Sequence, residues 1–89
     1  MPIKKLKTLP EFFQAVYEER KPFEVRWNDR DFKVGDELML EEFDPAEDYD
    51  DTGRGHYTGS VCLRKVTYIL EGGQFGVEPG YVVLGLKKI

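Results

Sequence analysis

The sequence has almost no cysteine or histidine, and this scarcity excludes several classes of protein. Cys62 is the single cysteine and His56 the single histidine among 89 residues. A lone cysteine forms no internal disulfide, and the two residues together do not supply the four ligands of a Cys/His zinc site. The sequence therefore predicts neither a disulfide-framed secreted domain nor a zinc module, and we expect no metal and no cofactor.

Long apolar runs are also missing. The longest span only a few residues, as in Tyr81 to Leu84, whereas a helix that crosses a bilayer needs about 20. The opening segment MPIKKLKTLPEFF lacks the apolar core of a signal peptide. We therefore expect a cytoplasmic protein with no membrane partner. A chain of 89 residues further predicts a single domain that covers residues 1–89.

An excess of basic residues is absent as well, which argues against a large nucleic-acid-binding face. The net charge is −4, but it is unevenly distributed. Residues 34–59 carry one basic and nine acidic side chains, a local charge of −8, whereas residues 1–33 and 60–89 each carry +2. The acidity is therefore local, and a small cationic site remains compatible with the rest of the chain.

A capping motif and an apolar stripe predict one helix, from about Leu9 to Glu19. Thr8 and Glu11 have the spacing of a capping box, and Pro10 suits the first helical turn. Five apolar residues recur at helical spacing and are expected to pack in the core: Leu9, Phe12, Phe13, Val16 and Tyr17. Pro22 is expected to end the helix, since the residue before a proline avoids the helical conformation.

Alternating and β-branched segments predict five strands around this helix. The first is a short edge strand at residues 3–7, and the others lie at residues 23–27, 37–43, 60–70 and 81–86, separated by turns and a polar loop at residues 44–59. The fourth strand is long enough to require a bend or bulge. In the second strand, Glu24 and Arg26 are expected on the outward face. This order predicts an α+β fold: a small, mostly antiparallel β-barrel or half-barrel with one substantial N-terminal helix.

The motif Lys21-x-x-Glu24-x-Arg26 resembles the G-x-K-x-x-E-x-R signature of ASCH domains, a branch of the PUA-like superfamily of RNA-binding barrels. Longer segments at residues 28–32, 34–36, 64–70 and 80–86 resemble a small bacterial and phage group of that superfamily, known only as a domain of unknown function. The resemblance implies a PUA-like barrel. This chain departs from the pattern at Glu19, where the signature has glycine, and at Pro22, where many ASCH sequences have threonine.

The residues of this motif have the chemistry of a small binding site. Arg26 offers a planar fork of donors for a phosphate or a base edge, and Lys21 adds a point charge. Glu24 either accepts hydrogens from a ligand amino group or holds Arg26 in place, and Arg30 lies in the next turn, at the expected edge of the cleft. The leading hypothesis is an RNA- or nucleotide-binding module with no catalytic residue. The plainer alternative is an exposed Glu24–Arg26 ion pair beside a solvated lysine.

Two other functions remain open. One small ASCH group is reported to hydrolyse acetylated cytidine with a threonine nucleophile, an activating lysine and an assisting glutamate. Lys21 matches that lysine, but Pro22 has no hydroxyl, and residues such as Thr8 and Thr58 lie far away along the sequence. The second alternative is a protein-interaction module that uses the acidic loop at residues 44–51.

Overall fold

The computed structural model of the chain describes residues 3–45 and 55–89. It contains five strands and one helix: β1 (Lys4–Thr8), α1 (Pro10–Tyr17), β2 (Phe23–Trp27), β3 (Glu37–Asp44), β4 (His56–Glu71) and β5 (Tyr81–Lys88). The expected order of one strand, one helix and four strands is confirmed. Within the described residues, no helix combines the length and the apolar character needed to cross a membrane.

All five strands belong to one curled sheet that forms a half-barrel. Their order across the sheet is β1-β3-β4-β5-β2. β1 pairs with β3 in parallel, and the other three pairings are antiparallel. The mostly antiparallel half-barrel expected from the sequence is thus confirmed, and its two edges are β1 and β2.

Two irregularities in β4 help the sheet to curl. The register shifts between Glu41 and Phe43 where β3 meets β4, and again between Val66 and Tyr68 where β4 meets β5. Bulges of this kind bend a strand and increase its local twist, so the bulge expected in the long fourth strand is confirmed. The predicted polar loop at residues 44–59 is too long, since β4 begins at His56 and Tyr57 pairs with Phe43.

The core lies on the inner face of the half-barrel, and α1 contributes less to it than expected. The inner face is built from alternate strand residues, such as Leu38, Leu40, Val66, Val82 and Leu84. From α1, only Phe13 and Val16 are buried. The expectation that the whole apolar stripe packs in the core is wrong for its other three members, which are 42–61% exposed: Leu9, Phe12 and Tyr17.

Both ends of α1 differ from the capping prediction. Thr8 is the last residue of β1, and its buried hydroxyl donates to the Leu6 carbonyl at 3.2 Å instead of capping the helix. Leu9 occupies the N-cap position without a side-chain bond. α1 ends at Tyr17, two residues earlier than predicted, and Glu19 then adopts a φ of 64°.

Glu19, just after α1, adopts a backbone conformation that most residues with a side chain avoid. A positive φ just after a helix is the usual role of glycine, which has no Cβ to clash with the backbone. Glu19 adopts the same conformation with a side chain, and its carboxylate pairs with Lys88 at 3.0 Å. The turn at Glu19 follows α1 and leads the chain into β2, and Lys21, just before β2, lies beside Glu24 of that strand.

Asp36 joins β1, β3 and the turn between β2 and β3. Its Oδ2 accepts from Lys4 Nζ at 2.7 Å and from the Lys33 backbone N–H at 2.8 Å. Burial raises the pKa of Asp36, but the bonds from Lys4 and Lys33 and the charges of both lysines outweigh it, so that the pKa lies below the ordinary value of 3.8. The ionised carboxylate therefore stabilises the fold.

This interaction predicts a stability loss in acid. A depressed pKa contributes stability that is present above the ordinary value of 3.8 and is lost as the pH falls through the lower folded-state pKa. We expect Asp36→Asn to unfold more easily than the wild type at neutral pH and the difference to shrink in acid. Denaturant titrations from about pH 7 to pH 2 measure it. A difference in unfolding free energy between the two proteins that is the same at every pH would show that Asp36 does not cause the loss of stability in acid.

Candidate functional site

An open cleft of about 580 Å³ lies where the half-barrel is not closed, between the edge strands β1 and β2. We call it the seam cleft. Its lining residues come from β1, the start of α1, β2 and the segments that flank α1: Lys7, Thr8, Leu9, Phe12, Lys21, Phe23, Glu24, Val25 and Arg26. Its volume is within the range of small-molecule sites, and it contains all three residues of the Lys-x-x-Glu-x-Arg motif.

The motif reaches the cleft because β2 faces the opposite way from the sequence prediction. Glu24 is only 3% exposed, whereas Phe23, Val25 and Trp27 are 40–55% exposed. Glu24 pairs with Leu84 of β5, and directly opposite residues of an antiparallel pair lie on the same side of the sheet. Since Leu84 points into the core, Glu24 does too, and the expected outward position of Glu24 and Arg26 is wrong.

Glu24 is held between two cations. Lys21 Nζ donates to its Oε1, and Arg26 Nε donates to its Oε2 at 3.0 Å. Arg26 also donates from Nη2 to the Thr8 hydroxyl at 3.0 Å. Because Thr8 belongs to β1 and Arg26 to β2, this bond connects the two edges of the sheet. The exposed ion pair considered from the sequence is in fact a largely buried network.

The polar groups that remain in the cleft are donors. Both oxygens of Glu24 and the hydroxyl of Thr8 are already engaged. Arg26 Nη1 makes no hydrogen bond to the described residues, and Lys21 carries further N–H groups. Lys7 Nζ lies 4.2 Å from the ring centre of Phe43, just outside the cleft lining, and its N–H groups are also donors. With three cations and one carboxylate in its lining, the cleft has a formal charge of +2. It therefore suits a ligand that brings hydrogen-bond acceptors and negative charge, whereas Glu24, which is 3% exposed, presents little surface to a ligand amino group.

Two half-exposed aromatic rings stand beside these donors. Lys21 Nζ lies 5.3 Å from the ring centre of Phe12 and 5.2 Å from that of Phe23. The two rings are 42% and 40% exposed, so each has surface available for contact. Aromatic faces of this kind stack on nucleobases. Leu9 and Phe12, two residues of the apolar stripe that the sequence assigned to the core, thus form part of the cleft wall.

The structure brings together Lys21, Glu24 and Arg26, but it does not bring Arg30 to them. Arg30 is exposed in the turn after β2 and lies outside the cleft lining. Sequence reasoning missed Lys7, Thr8 and the two phenylalanines as lining residues. Lys7 and Thr8 carry no local signal for this role, since they reach the cleft only because β1 lies at the sheet edge that faces β2.

Two further expectations from the sequence, an acidic interaction loop and the absence of a metal site, do not involve the seam cleft. Of the acidic segment proposed as a protein-interaction loop, residues 46–51 are outside the described residues. Within residues 3–45 and 55–89, no group of three or more His, Cys, Asp or Glu side chains is placed to hold a metal ion.

The comparisons with known proteins identify a family but no activity. A family model with the description "Domain of unknown function (DUF3850)" matches residues 3–86, which is nearly the whole chain. A search of curated proteins finds no match. The matched residues include every residue that lines the seam cleft, so the cleft lies within the domain that the family shares.

Proposed function

We propose that the seam cleft of this chain, which belongs to the DUF3850 family, binds one nucleotide unit of RNA or a free nucleotide. The observation that carries this proposal is the pairing of unengaged donors with exposed aromatic rings in one cavity. The resemblance of Lys21-x-x-Glu24-x-Arg26 to the ASCH signature supports the same assignment and a place in the PUA-like superfamily.

A nucleotide supplies a partner for each of the two kinds of group in the cleft, the donors and the aromatic rings. Its phosphate brings acceptor oxygens and negative charge to Arg26 Nη1, Lys21 and Lys7, and charge-assisted bonds of this type are the stronger ones. Its base offers a π-face to Phe12 or Phe23. The net charge of −4 does not oppose this mode, because charges beyond about 8 Å are largely screened at physiological salt.

Binding is expected to depend on the phosphate and on Lys7. We expect nucleoside 5′-monophosphates to bind at least about tenfold more tightly than the matching nucleosides, since a charge-assisted bond contributes about 1.5–3 kcal/mol. Lys7→Gln should weaken nucleotide binding severalfold. Lys5→Gln is a matched control, because Lys5 is exposed on the same strand and does not line the cleft.

Calorimetric titration measures these affinities, and short single-stranded RNA competing with the monophosphate distinguishes an RNA site from a free-nucleotide site. Tighter binding of RNA than of its component nucleotides would assign the cleft to RNA. Equal binding of nucleosides and nucleotides, or an equal effect of the two lysine substitutions, would contradict the proposal.

One observation favours the hydrolase alternative. Thr8, distant from Lys21 in sequence, lines the same cleft as Lys21 and Glu24. Its hydroxyl, however, donates to Leu6 and accepts from Arg26, while Lys21 donates to Glu24. The Thr8 proton is thus directed at a backbone carbonyl and not at a side chain that could take it as a general base. Incubation with acetylated cytidine is expected to give no hydrolysis, and turnover that is lost in Thr8→Val would establish the enzyme instead.

A further inference from the structure

The outer face of the sheet carries an apolar patch that crosses β2, β5 and β4. Five exposed residues define this outer patch: Phe23, Val25, Trp27, Tyr68 and Tyr81. Their positions are contiguous in the register, since Trp27 lies opposite Tyr81, and Gly85 lies between Phe23 and Tyr68. The patch faces away from the core because Val82, Leu84 and Leu86 of β5 occupy the inner face.

The patch is large for so small a protein. The five residues are 36–66% exposed, which corresponds to roughly 600 Å² and is the upper end of what a monomer leaves uncovered. This is about a tenth of the total surface of 5836 Å², the share that a specific interface usually covers. Two such patches facing each other would bury about 1,200 Å², the lower limit for a stable interface.

The largest ring of the patch is held in place before any partner binds. Trp27 lies across Gly80 so closely that a Cβ at Gly80 would collide with the ring. The edge of the indole meets Tyr81 with ring centres 5.4 Å apart and planes at 75°. Because the ring is already ordered and remains 55% exposed, covering it costs little conformational entropy.

The charges at the two ends of the patch are opposite. Lys65 and Lys87 lie directly opposite each other on β4 and β5, two pairs beyond Tyr68 and Gly85 along the sheet. Glu37 of β3 lies opposite Lys65 on its other side, so this end of the patch carries a net charge of +1. At the other end, Asp29 follows Trp27 closely, and Glu78 lies next to Tyr81, with its carbonyl accepting from the Tyr81 N–H. Even with Arg30 counted, the second end is acidic.

We propose that the outer patch binds a second copy of this chain, related to the first by a two-fold axis that lies in the interface, perpendicular to the line from the Lys65–Lys87 end to the Asp29–Glu78 end. In such an isologous contact the same surface is used twice, so the Lys65–Lys87 end of each copy faces the Asp29–Glu78 end of the other. Complementary charge and a sufficient apolar area thus select the same partner. Phe23 and Val25 belong to both the outer patch and the lining of the seam cleft, so the contact covers that side of the cleft and leaves Phe12 as the ring available to a base.

The first test is the mass of the protein in solution. Light scattering of the wild type between about 10 μM and 1 mM, where small interfaces form and dissociate, should show the mass rising from 10.3 kDa toward twice that value. Tyr68→Lys should raise the dimer dissociation constant at least about tenfold. Tyr17→Lys is the matched control, since Tyr17 on α1 is 61% exposed against 66% for Tyr68, and it should behave as the wild type.

The second test swaps the charges and does not depend on the patch residues themselves. K65E/K87E makes both ends acidic and D29K/E78K makes both ends basic, so each variant alone should remain monomeric. An equimolar mixture of the two should restore the dimer mass, because each altered end then meets its opposite. A wild type that stays at 10.3 kDa up to 1 mM, equal masses for the two tyrosine variants, or a mixture that does not associate would each overturn the proposal.

Discussion

Replacing Arg26 by leucine is expected to lower the free energy of unfolding by about 3 kcal/mol. The change leaves Glu24, which is 3% exposed, with Lys21 as its single cationic partner and removes the bond from Arg26 to Thr8 across the seam. Breaking a buried pair by removing one partner typically costs about 3–5 kcal/mol. The lower end applies here because the Arg26 side chain is 23% exposed.

Two controls separate this effect from the loss of an ordinary ion pair. Arg20→Leu removes an exposed pair with Glu18, whose side chains are 63% and 51% exposed, and should cost less than about 1 kcal/mol. The double variant E24L/R26L removes the stranded carboxylate and should recover much of the loss, since an apolar pair often replaces a buried ion pair without cost. Denaturant unfolding of the three variants measures the difference. A loss for Arg26→Leu no larger than that for Arg20→Leu would mean that the network does not support the fold.

Phe13→Ala is expected to be the most damaging single truncation in α1. Phe13 is 2% exposed and belongs to the core, and removing such a ring costs about 3–5 kcal/mol through lost burial and the cavity that remains. For a domain of this size, that is a large part of the total stability. Phe12, the next residue, is 42% exposed, so Phe12→Ala should cost much less.

The variants Phe12→Ala and Phe13→Ala also distinguish an effect on folding from an effect on binding. Thermal or denaturant unfolding should show a large loss for Phe13→Ala and a small one for Phe12→Ala. Nucleotide titration should show weaker binding for Phe12→Ala, because this ring is part of the cleft wall. Equal stability losses at the two positions would mean that Phe12 packs more tightly than its exposure indicates, and an unchanged affinity would remove Phe12 from the site.

Periodicity and turn chemistry were sufficient to predict the element order, the curled sheet and the bulge in β4. They failed at β2, where Phe23, Val25 and Trp27 alternate with Glu24 and Arg26. Alternation fixes which residues share a face, but the apolar set is not always the buried one. Here the polar set forms the ion network of the cleft, and the apolar set forms the exposed outer patch. The choice between them depends on the pairing with β5, which is a non-local property.

The parts of the cleft supplied by β1 and α1 were not predictable for a related reason. Thr8 and Glu11 satisfy the spacing of a capping box, but the parallel pairing of β1 with β3 carries Thr8 into the sheet, where its hydroxyl meets Arg26. The exposure of Phe12 likewise follows from the short helix, which presents only Phe13 and Val16 to the core. Local patterns identified the residue types, and the tertiary arrangement decided what those residues contact.

The position of Trp27 gives this protein an internal optical reporter. Trp27 is the one tryptophan of the chain, it is 55% exposed, and it lies in the outer patch but not in the lining of the seam cleft. Its fluorescence spectrum therefore reads the polarity at one defined point of the surface. Covering the outer patch should shift the emission to shorter wavelengths, whereas a nucleotide held between Lys7, Lys21 and Arg26 should leave the emission wavelength unchanged. A single unlabelled sample thus distinguishes occupation of the two surfaces.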